Sequence, residues 1–453
     1  VSSAPALVWL RDDLRLADNP ALRAAVDRGG PVVVLYLLED GPGIRPIGGA
    51  GRWWLHHSLD ALAAALEQRG GRLTLRRGEA AEVVPRVIAE TGADAVFWNR
   101  RYGAAREIDA ALKARLRDDG LEVDSFAANL LVEPWTVLTD QGTPYRVFTP
   151  FWKAAREREF RDPVAEPRTV EAPSGTVASD ELDDWGLLPT HPDWAEGLRE
   201  TWTPGERGAH ARLEHFAEAT LADYDQRDEP AQEATSLLSP HLSFGEISPV
   251  QIWRRLHGEL SPAARRNGAK FFSELGWREF NYNILFHRPE VATVNIRPQF
   301  DAFPWSEPDE AALEAWRTGR TGIPLVDAGM RELWRTGYMH NRVRMITASF
   351  LIKNLLVDWR VGEQWFWDTL VDADEASNPG NWQWVAGSGA DAAPYFRVFN
   401  PERQAERFDP HGEYIRRWVP EVGTADYPEP IVDLAATRRE ALDAYEAVKA
   451  AGR

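Results

Sequence analysis

Apolar and polar positions divide the chain into two regimes. Through residues 1–130, short apolar runs alternate with stretches whose apolar positions recur every three to four residues. Residues 6–10 and 32–38 are near-continuous apolar runs and read as strands. Residues 72–76, 95–98 and 122–126 are weaker strand candidates. Between them, 20–27, 53–68, 80–90 and 104–117 carry helical spacing, the first with Asn19 as N-cap and Pro20 in the opening turn. Strands apolar on both faces, alternating with helices, predict a parallel sheet covered on both sides, a Rossmann-like α/β domain. No GxGxxG follows a strand. Gly48, Gly49 and Gly51 come after the second strand and read as a turn, so no nicotinamide site is expected.

Residues 131–203 change character. After FTPFWK (148–153) comes a stretch rich in Pro, Ser and acids, which reads as a long interdomain connector, partly ordered at best. From 204 to 453 the pattern is helical throughout, with segments at 205–224, 246–256, 264–286, 310–316, 326–334, 341–359, 363–371 and 434–450. The fold class is therefore α/β followed by all-α, and no internal repeat is present.

The densest stretch is 338–401. Its first half reads as one buried helix, with Asn341, Arg344 and Met345 on a shared face. Its second half is non-periodic and carries Asp372, Asp374, Asn378, Trp382 and Trp384. Polar groups among so many aromatics need partners, because burying them unpaired costs roughly 2–7 kcal/mol each. A planar, hydrogen-bonding ligand such as a flavin isoalloxazine would supply them.

Length and composition narrow the picture. At 453 residues, two or three domains are expected. No run of eighteen apolar residues predicts a membrane span, and residues 1–13 do not read as a signal peptide. Cysteine is absent, which excludes disulfides, thiolate nucleophiles and Cys-ligated metals and fits a cytoplasmic protein. A formal net charge of −18 argues against general polyanion binding. Residues 331–360 hold five Arg and one Lys against one Glu and one Asp, +4 in all, which is either a local basic patch or an uneven surface charge. The 20 tryptophans make an aromatic-lined site or an electron path worth weighing against plain packing.

Four sets of residues could carry chemistry. Thr235, Ser236, Leu237, Leu238 and Ser239 put hydroxyls and backbone N–H groups before a helix, which suits a pyrophosphate or a simple N-cap and turn. Glu274, Trp277 and Arg278 fall at i, i+3 and i+4, offering a carboxylate, an indole face and a cation to a base-like ligand. The alternative is a Glu–Arg pair beside a core indole. Asn341, Arg344, Asp372, Asp374 and Asn378 form either a structural ion pair with neighbours or a loop-borne site. Trp382 and Trp384, two apart on what reads as an extended segment, are expected to face a flavin and a substrate, one each. His56, His57 and His287 have no ligand partners at metal spacing, so no metal is expected.

The motifs TSLLSPHLSFGEIS (235–248), SELGWREF (273–280), 321–345 and NPGNWQWVAGSGADAAPYFRVFNP (378–401) together resemble the photolyase/cryptochrome family. So do the opening WLRDDLRLADNPAL (9–22) and FTPFWK, so the likeness spans nearly the whole chain. Within the family it is nearest to cyclobutane pyrimidine dimer photolyases. The resemblance implies an α/β antenna domain at 1–130, a linker at 131–203 and a helical FAD-binding catalytic domain at 204–453. It implies FAD held by Tyr224, Thr235, Ser236, Leu237, Leu238, Ser239, Phe271, Arg344, Asp372 and Asp374, with Asn378 at the flavin N5 edge. Phe271 stands where relatives often have Trp. Asn378 stands where plant cryptochromes tend to have Asp and animal ones Cys.

The same resemblance implies that Glu274 and Asn341 contact the dimer bases, that Trp277 and Trp384 stack on them, and that Met345 packs beside the lesion. Arg227 and Arg278 would bind DNA phosphates, and Trp382, Trp359 and Trp305 would form an electron chain. The implied reaction is light-dependent repair of pyrimidine dimers in ultraviolet-damaged DNA by electron transfer from excited reduced FAD. The protein would be a monomer with no membrane partner. The alternative is a cryptochrome-type blue-light photoreceptor; a dark flavin oxidoreductase leaves the tryptophans unexplained. Residues 99–109 lack the Asn-Glu pair that many relatives use for a folate antenna. The antenna is therefore open between methenyltetrahydrofolate, a deazaflavin and none.

Overall fold

The structure is a computed structural model, and it describes residues 4–452 other than 259, 308 and 393–395. Five strands, β1 (Ala6–Leu10), β2 (Val32–Glu39), β3 (Leu73–Gly78), β4 (Ala95–Asn99) and β5 (Glu122–Phe126), form one parallel sheet in the order β3-β2-β1-β4-β5. Ala6 stands between Val32 and Ala95, so β1 and β2 are buried on both faces. Alternate residues serve opposite layers. Ala6, Val8, Leu10, Val32 and Val34 face α1 (Pro20–Asp27) and α2 (Gly49–Glu67). Leu7, Trp9, Val33 and Leu35 face α3 (Ala80–Thr91) and α4 (Arg106–Asp118). This is why the two central strands read as unbroken apolar runs. The Asn19 side chain accepts from Leu22 N at 3.1 Å, with Pro20 opening α1, as expected.

The connector is packed, and the expectation of partial order is corrected. It forms α5 (Phe148–Arg156) and α6 (Glu196–Thr201), and Val170 and Trp185 enter the core beside the sheet. Backbone bonds from Val32 N to Glu171 O (2.7 Å) and from Val170 N to Arg69 O (2.9 Å) bind it along the α/β half. Its prolines and acids belong to an extended chain bonded to a neighbour, which local composition does not distinguish from a free one.

The rest is helical: α7 (Glu206–His215), α8 (Ser239–Ser243), α9 (Pro249–Leu256), α10 (Pro262–His287), α11 (Glu310–Thr318), α12 (Pro324–Thr336), α13 (Asn341–Ser349), α14 (Trp359–Thr369), α15 (Ser377–Ala386), α16 (Pro401–Phe408), α17 (Glu413–Trp418) and α18 (Leu434–Ala451). Two readings of the central stretch change. The helix expected over 341–359 ends in a π-helical turn at Phe350–Asn354, and Asp358 caps α14 by accepting from Arg360 N at 3.0 Å. The segment expected to be non-periodic contains α15, so Trp382 and Trp384 stand on a helix rather than on an extended strand. Asp374 starts α15 by accepting from Ala376 N (2.8 Å) and Ser377 N (2.6 Å), and Gly387 at φ 95° ends it. Residues 393–395 of this stretch lie outside the described residues.

The 26-residue α10 organises the helical half. Phe271 and Leu275 enter one core, while Phe280, Ile284 and Leu285 enter another shared with α5. At its middle, Glu279 Oε2 accepts from Leu131 N (2.9 Å) and Val132 N (3.2 Å), pinning the start of the connector. Burial pushes this carboxyl up to about 7 from 4.5, against the opposing pull of Arg278 and the two backbone bonds. Between those pH values the folded chain holds a proton that the unfolded chain has released, so this group lowers stability as pH rises through the window. The effect is about 3 kcal/mol at most. Glu279→Gln keeps an acceptor for both backbone donors and removes the titration. Thermal unfolding from pH 5 to pH 8 should therefore show a smaller fall in Tm for the variant than for the parent; equal falls would contradict the assignment.

Candidate functional site

Three segments far apart in sequence meet at one carboxylate. The Asp372 side chain is buried and accepts from Arg344 Nη1 (3.0 Å) and Nη2 (2.8 Å) in a two-pronged pair, and Ser239 Oγ donates to its Oδ2 at 2.6 Å. Arg344 Nε donates to Met339 O at 2.6 Å, and the guanidinium lies 5.0 Å from the Tyr338 ring. Tyr338 in turn hydrogen-bonds the Thr235 side chain. The residues 235–239, α13 and the turn before α15 are thus fixed to one another, and all five of Thr235, Ser236, Leu237, Leu238 and Ser239 fall here.

The backbone of this loop is shaped for an anion. Leu237 has φ 52°, a left-handed conformation costly for a branched side chain, and Leu238 follows in the right-handed helical region. That alternation turns successive N–H groups toward one concavity. Ser236 Oγ accepts from Leu238 N at 3.3 Å, whereas the N–H groups of Ser236 and Leu237 donate to no acceptor among the described residues. A diphosphate is a ligand those donors fit. Tyr224 and Phe271 stand in the adjoining core, 5.5 Å apart at 82°, with Phe216 against both. Asp374 caps α15 through Oδ1, and burial raises its carboxyl above the ordinary range. Asn378, buried in the first turn of α15, donates through Nδ2 to Glu363 O (3.1 Å) and Glu363 Oε1 (2.8 Å).

A second group adjoins Tyr224. The Arg227 guanidinium lies 5.5 Å from the Tyr224 ring and 3.7 Å from Glu274 Oε1, and Lys270 reaches the same carboxylate at 3.8 Å. Glu274 is half-buried; burial raises its carboxyl and the two cations lower it, with the net shift upward. Asn341 is exposed at the start of α13, and Met345 and Trp384 are half-buried. Trp277 stacks on Phe148 at 4.0 Å and 9°, so one face of its ring is covered.

One expectation is corrected, and one open alternative is decided. Arg278 does not share the open face with Glu274. It turns inward, donates to Asn129 O at 2.7 Å and lies 3.8 Å from Glu279, with 12% of its side chain accessible, so it braces the end of the α/β half and does not face a phosphate. The basic stretch 331–360 does not form a patch. Arg331 pairs with Glu421, Arg335 with Glu196 and Glu200, Arg342 with Asp228, Arg344 with Asp372 and Arg360 with Asp358, while Lys353 is buried. Its excess charge is met by acids from other segments.

Trp382, Trp359 and Trp305 fall in or against one core. Trp382 contacts Phe366 at 4.9 Å and Trp316 at 6.4 Å. Trp359 is fully buried in the same cluster, its Nε1 donating to Asn295 Oδ1 at 3.0 Å, and Trp305 packs at the edge beside Phe303. Sequence reading passed over Lys270, Arg342 and Glu363. Arg342 was legible from its place between Asn341 and Arg344. Glu363 had no sequence signal, because its partners come from distant segments.

A family profile described as DNA photolyase matches residues 6–169, and one described as the FAD binding domain of DNA photolyase matches 271–426. A deoxyribodipyrimidine photo-lyase of Agrobacterium fabrum is 51% identical over 477 residues, 99% of each chain. The crystal structure of a bacterial class III photolyase from Agrobacterium tumefaciens is similar with a TM-score of 0.95 at 50% identity, over 99% of this chain and 98% of that one. Cryptochrome-1 of Arabidopsis thaliana is 36% identical over 93% of this chain and 63% of its own length. These matches over both halves place the chain in the photolyase/cryptochrome family, with an FAD-binding domain in its helical half.

Proposed function

We propose that this chain splits cyclobutane pyrimidine dimers in ultraviolet-damaged DNA under light. The observation that carries the reading is one juxtaposition: the Asp372 brace with the Leu237 loop, suited to a dinucleotide, adjoins the Glu274–Arg227 group, suited to a base and its phosphate. The relative from Agrobacterium fabrum bears the name of the lyase that performs this reaction. In this reading residues 1–130 are the antenna domain, 131–203 the connector and 204–453 the catalytic domain.

Tyr224, residues 235–239, Phe271, Arg344, Asp372, Asp374 and Asn378 hold FAD. The unpaired N–H groups of Ser236 and Leu237 would meet its diphosphate, with the Tyr224 and Phe271 rings in the adjoining core. Reduced FAD, when bound, supplies the electron that light moves into the dimer. The dimer reaches the site extruded from the duplex, as for photolyases in general. Glu274, held toward its protonated form by burial, donates a hydrogen bond to a base carbonyl and stabilises the charge that develops there. Asn341 hydrogen-bonds the bases from the start of α13. The uncovered face of Trp277, with Trp384 and Met345, supplies the apolar contact, and Arg227 takes a phosphate. Trp382, with Trp359 and Trp305 in and against the same core, passes electrons inward to restore reduced FAD.

Replacing Glu274 with Ala removes the donor while leaving the dinucleotide contacts. The variant should retain stoichiometric FAD and lose about 10²-fold in repair rate of a thymine-dimer oligonucleotide under light. Parental repair in that variant would count against the role. Trp382→Phe should slow photoreduction of oxidised FAD at least tenfold while protein reduced with dithionite repairs at the parental rate. Photoreduction unchanged by the substitution would remove Trp382 from the path.

A further inference from the structure

We propose that Arg45, in the α/β half, is a positioning residue for the flavin edge, acting through Glu363 and Asn378. The proposal rests on the reading above that Asn378 faces FAD. Asn378 is buried, and both hydrogens of its amide are used: one goes to the backbone oxygen of Glu363 at 3.1 Å, the other to Glu363 Oε1 at 2.8 Å. Reversing the amide would set an oxygen against two acceptors and lose both bonds. Glu363 therefore decides which end of the amide is turned away from α14. That end is Oδ1, and it accepts from no donor among the described residues.

Glu363 is itself a fully buried acid that needs a cation. Its partner lies 318 positions earlier in sequence: Arg45 Nη1 donates to Oε1 at 2.7 Å and Nη2 to Oε2 at 2.8 Å. This forked pair fixes the carboxylate plane as a point charge would not. Arg45 is immobilised in turn. Its guanidinium lies 3.8 Å from the centre of the Trp367 ring, and Trp367 Nε1 donates to Pro46 O at 2.8 Å. Gly49 N donates to Asp368 Oδ1 at 2.8 Å, and a Cβ on Gly48 would meet Trp367 O at 2.1 Å. The glycine run after β2, which read as a plain turn, lets this loop lie flat on α14. The α/β half thereby sets the rotamer of a side chain in the FAD site.

The chemical consequence follows from what an amide oxygen offers. It accepts and cannot donate. Beside N5 of a flavin it favours the reduced ring, which carries N5–H, over the oxidised ring, whose N5 presents a lone pair. Without Arg45 the Glu363 charge loses its partner, the amide is free to turn, and Nδ2 can donate to the bare nitrogen. The preference for the reduced ring then falls.

The test uses the full-length holoprotein with FAD bound, equilibrated against a redox dye. Arg45→Gln should keep stoichiometric FAD and shift the two-electron equilibrium at least tenfold toward the oxidised form, about 30 mV lower in midpoint potential. Arg45→Lys should recover part of the shift. Asn378→Ala should give a comparable shift, and Arg45→Gln added to it should change the potential no further, since the two act in series. A potential within twofold of the parent's equilibrium constant in both Arg45→Gln and Arg45→Lys, while Asn378→Ala shifts it, overturns the role of Arg45 and leaves the flavin-edge reading standing. No shift in Asn378→Ala overturns both. Additive shifts in the double variant also overturn the proposal, because Arg45 would then act by another route.

Discussion

The site depends on the pair between Arg344 and Asp372. It is forked, its carboxylate is almost wholly removed from water, and Ser239 adds a third donor to the same group. A buried pair of this kind adds little net stability over an apolar replacement, but removing one partner strands the other at a cost of about 3–5 kcal/mol. What the pair secures is geometry. It holds α13, the turn before α15 and the strained loop at Leu237 in one arrangement.

The same logic recurs at larger scale. The chain is strongly acidic, yet its structure spends arginines on inward braces between distant segments. Arg278 reaches Asn129 at the end of the α/β half, Arg45 reaches α14, and Arg15, fully buried, donates to Ala128 O (3.0 Å) and Gly245 O (2.8 Å). Each ties the α/β half or its connector to the helical half. The cations left near the rim, Arg227, Lys270 and Arg342, are few and sit beside acids. A surface of this kind suits a partner recognised at one point by shape and local charge more than a long polyanion held along a groove.

The sheet and most helices were legible, because residues 6–10 and 32–38 can satisfy their pattern only when covered on both sides. Asn19 and Pro20 marked a helix start by chemistry that needs no tertiary partner. What escaped were features defined by contact at a distance. Helix α15 was missed because Asn378, Pro379 and Gly380 weaken local propensity, although Asp374 and Gly387 bracket it as caps. The run at 331–360 looked basic because its acids, among them Glu421, Asp228 and Asp372, come from elsewhere. Arg278 shared a helix face with Glu274 by spacing, yet its long side chain bends to Asn129. Candidate site residues were found by type and motif; their orientation, as for Asn378 against Glu363, required the fold.

The most direct measurement is the FAD content of Asp372→Asn protein that keeps the parental far-ultraviolet circular dichroism. The substitution preserves size and weakens the charge that joins Arg344 to Ser239. The purified variant should carry little flavin, and FAD titration should recover it only weakly, with Kd raised by at least an order of magnitude. Stoichiometric, tightly bound FAD in the folded variant would contradict the claim that this pair builds the site.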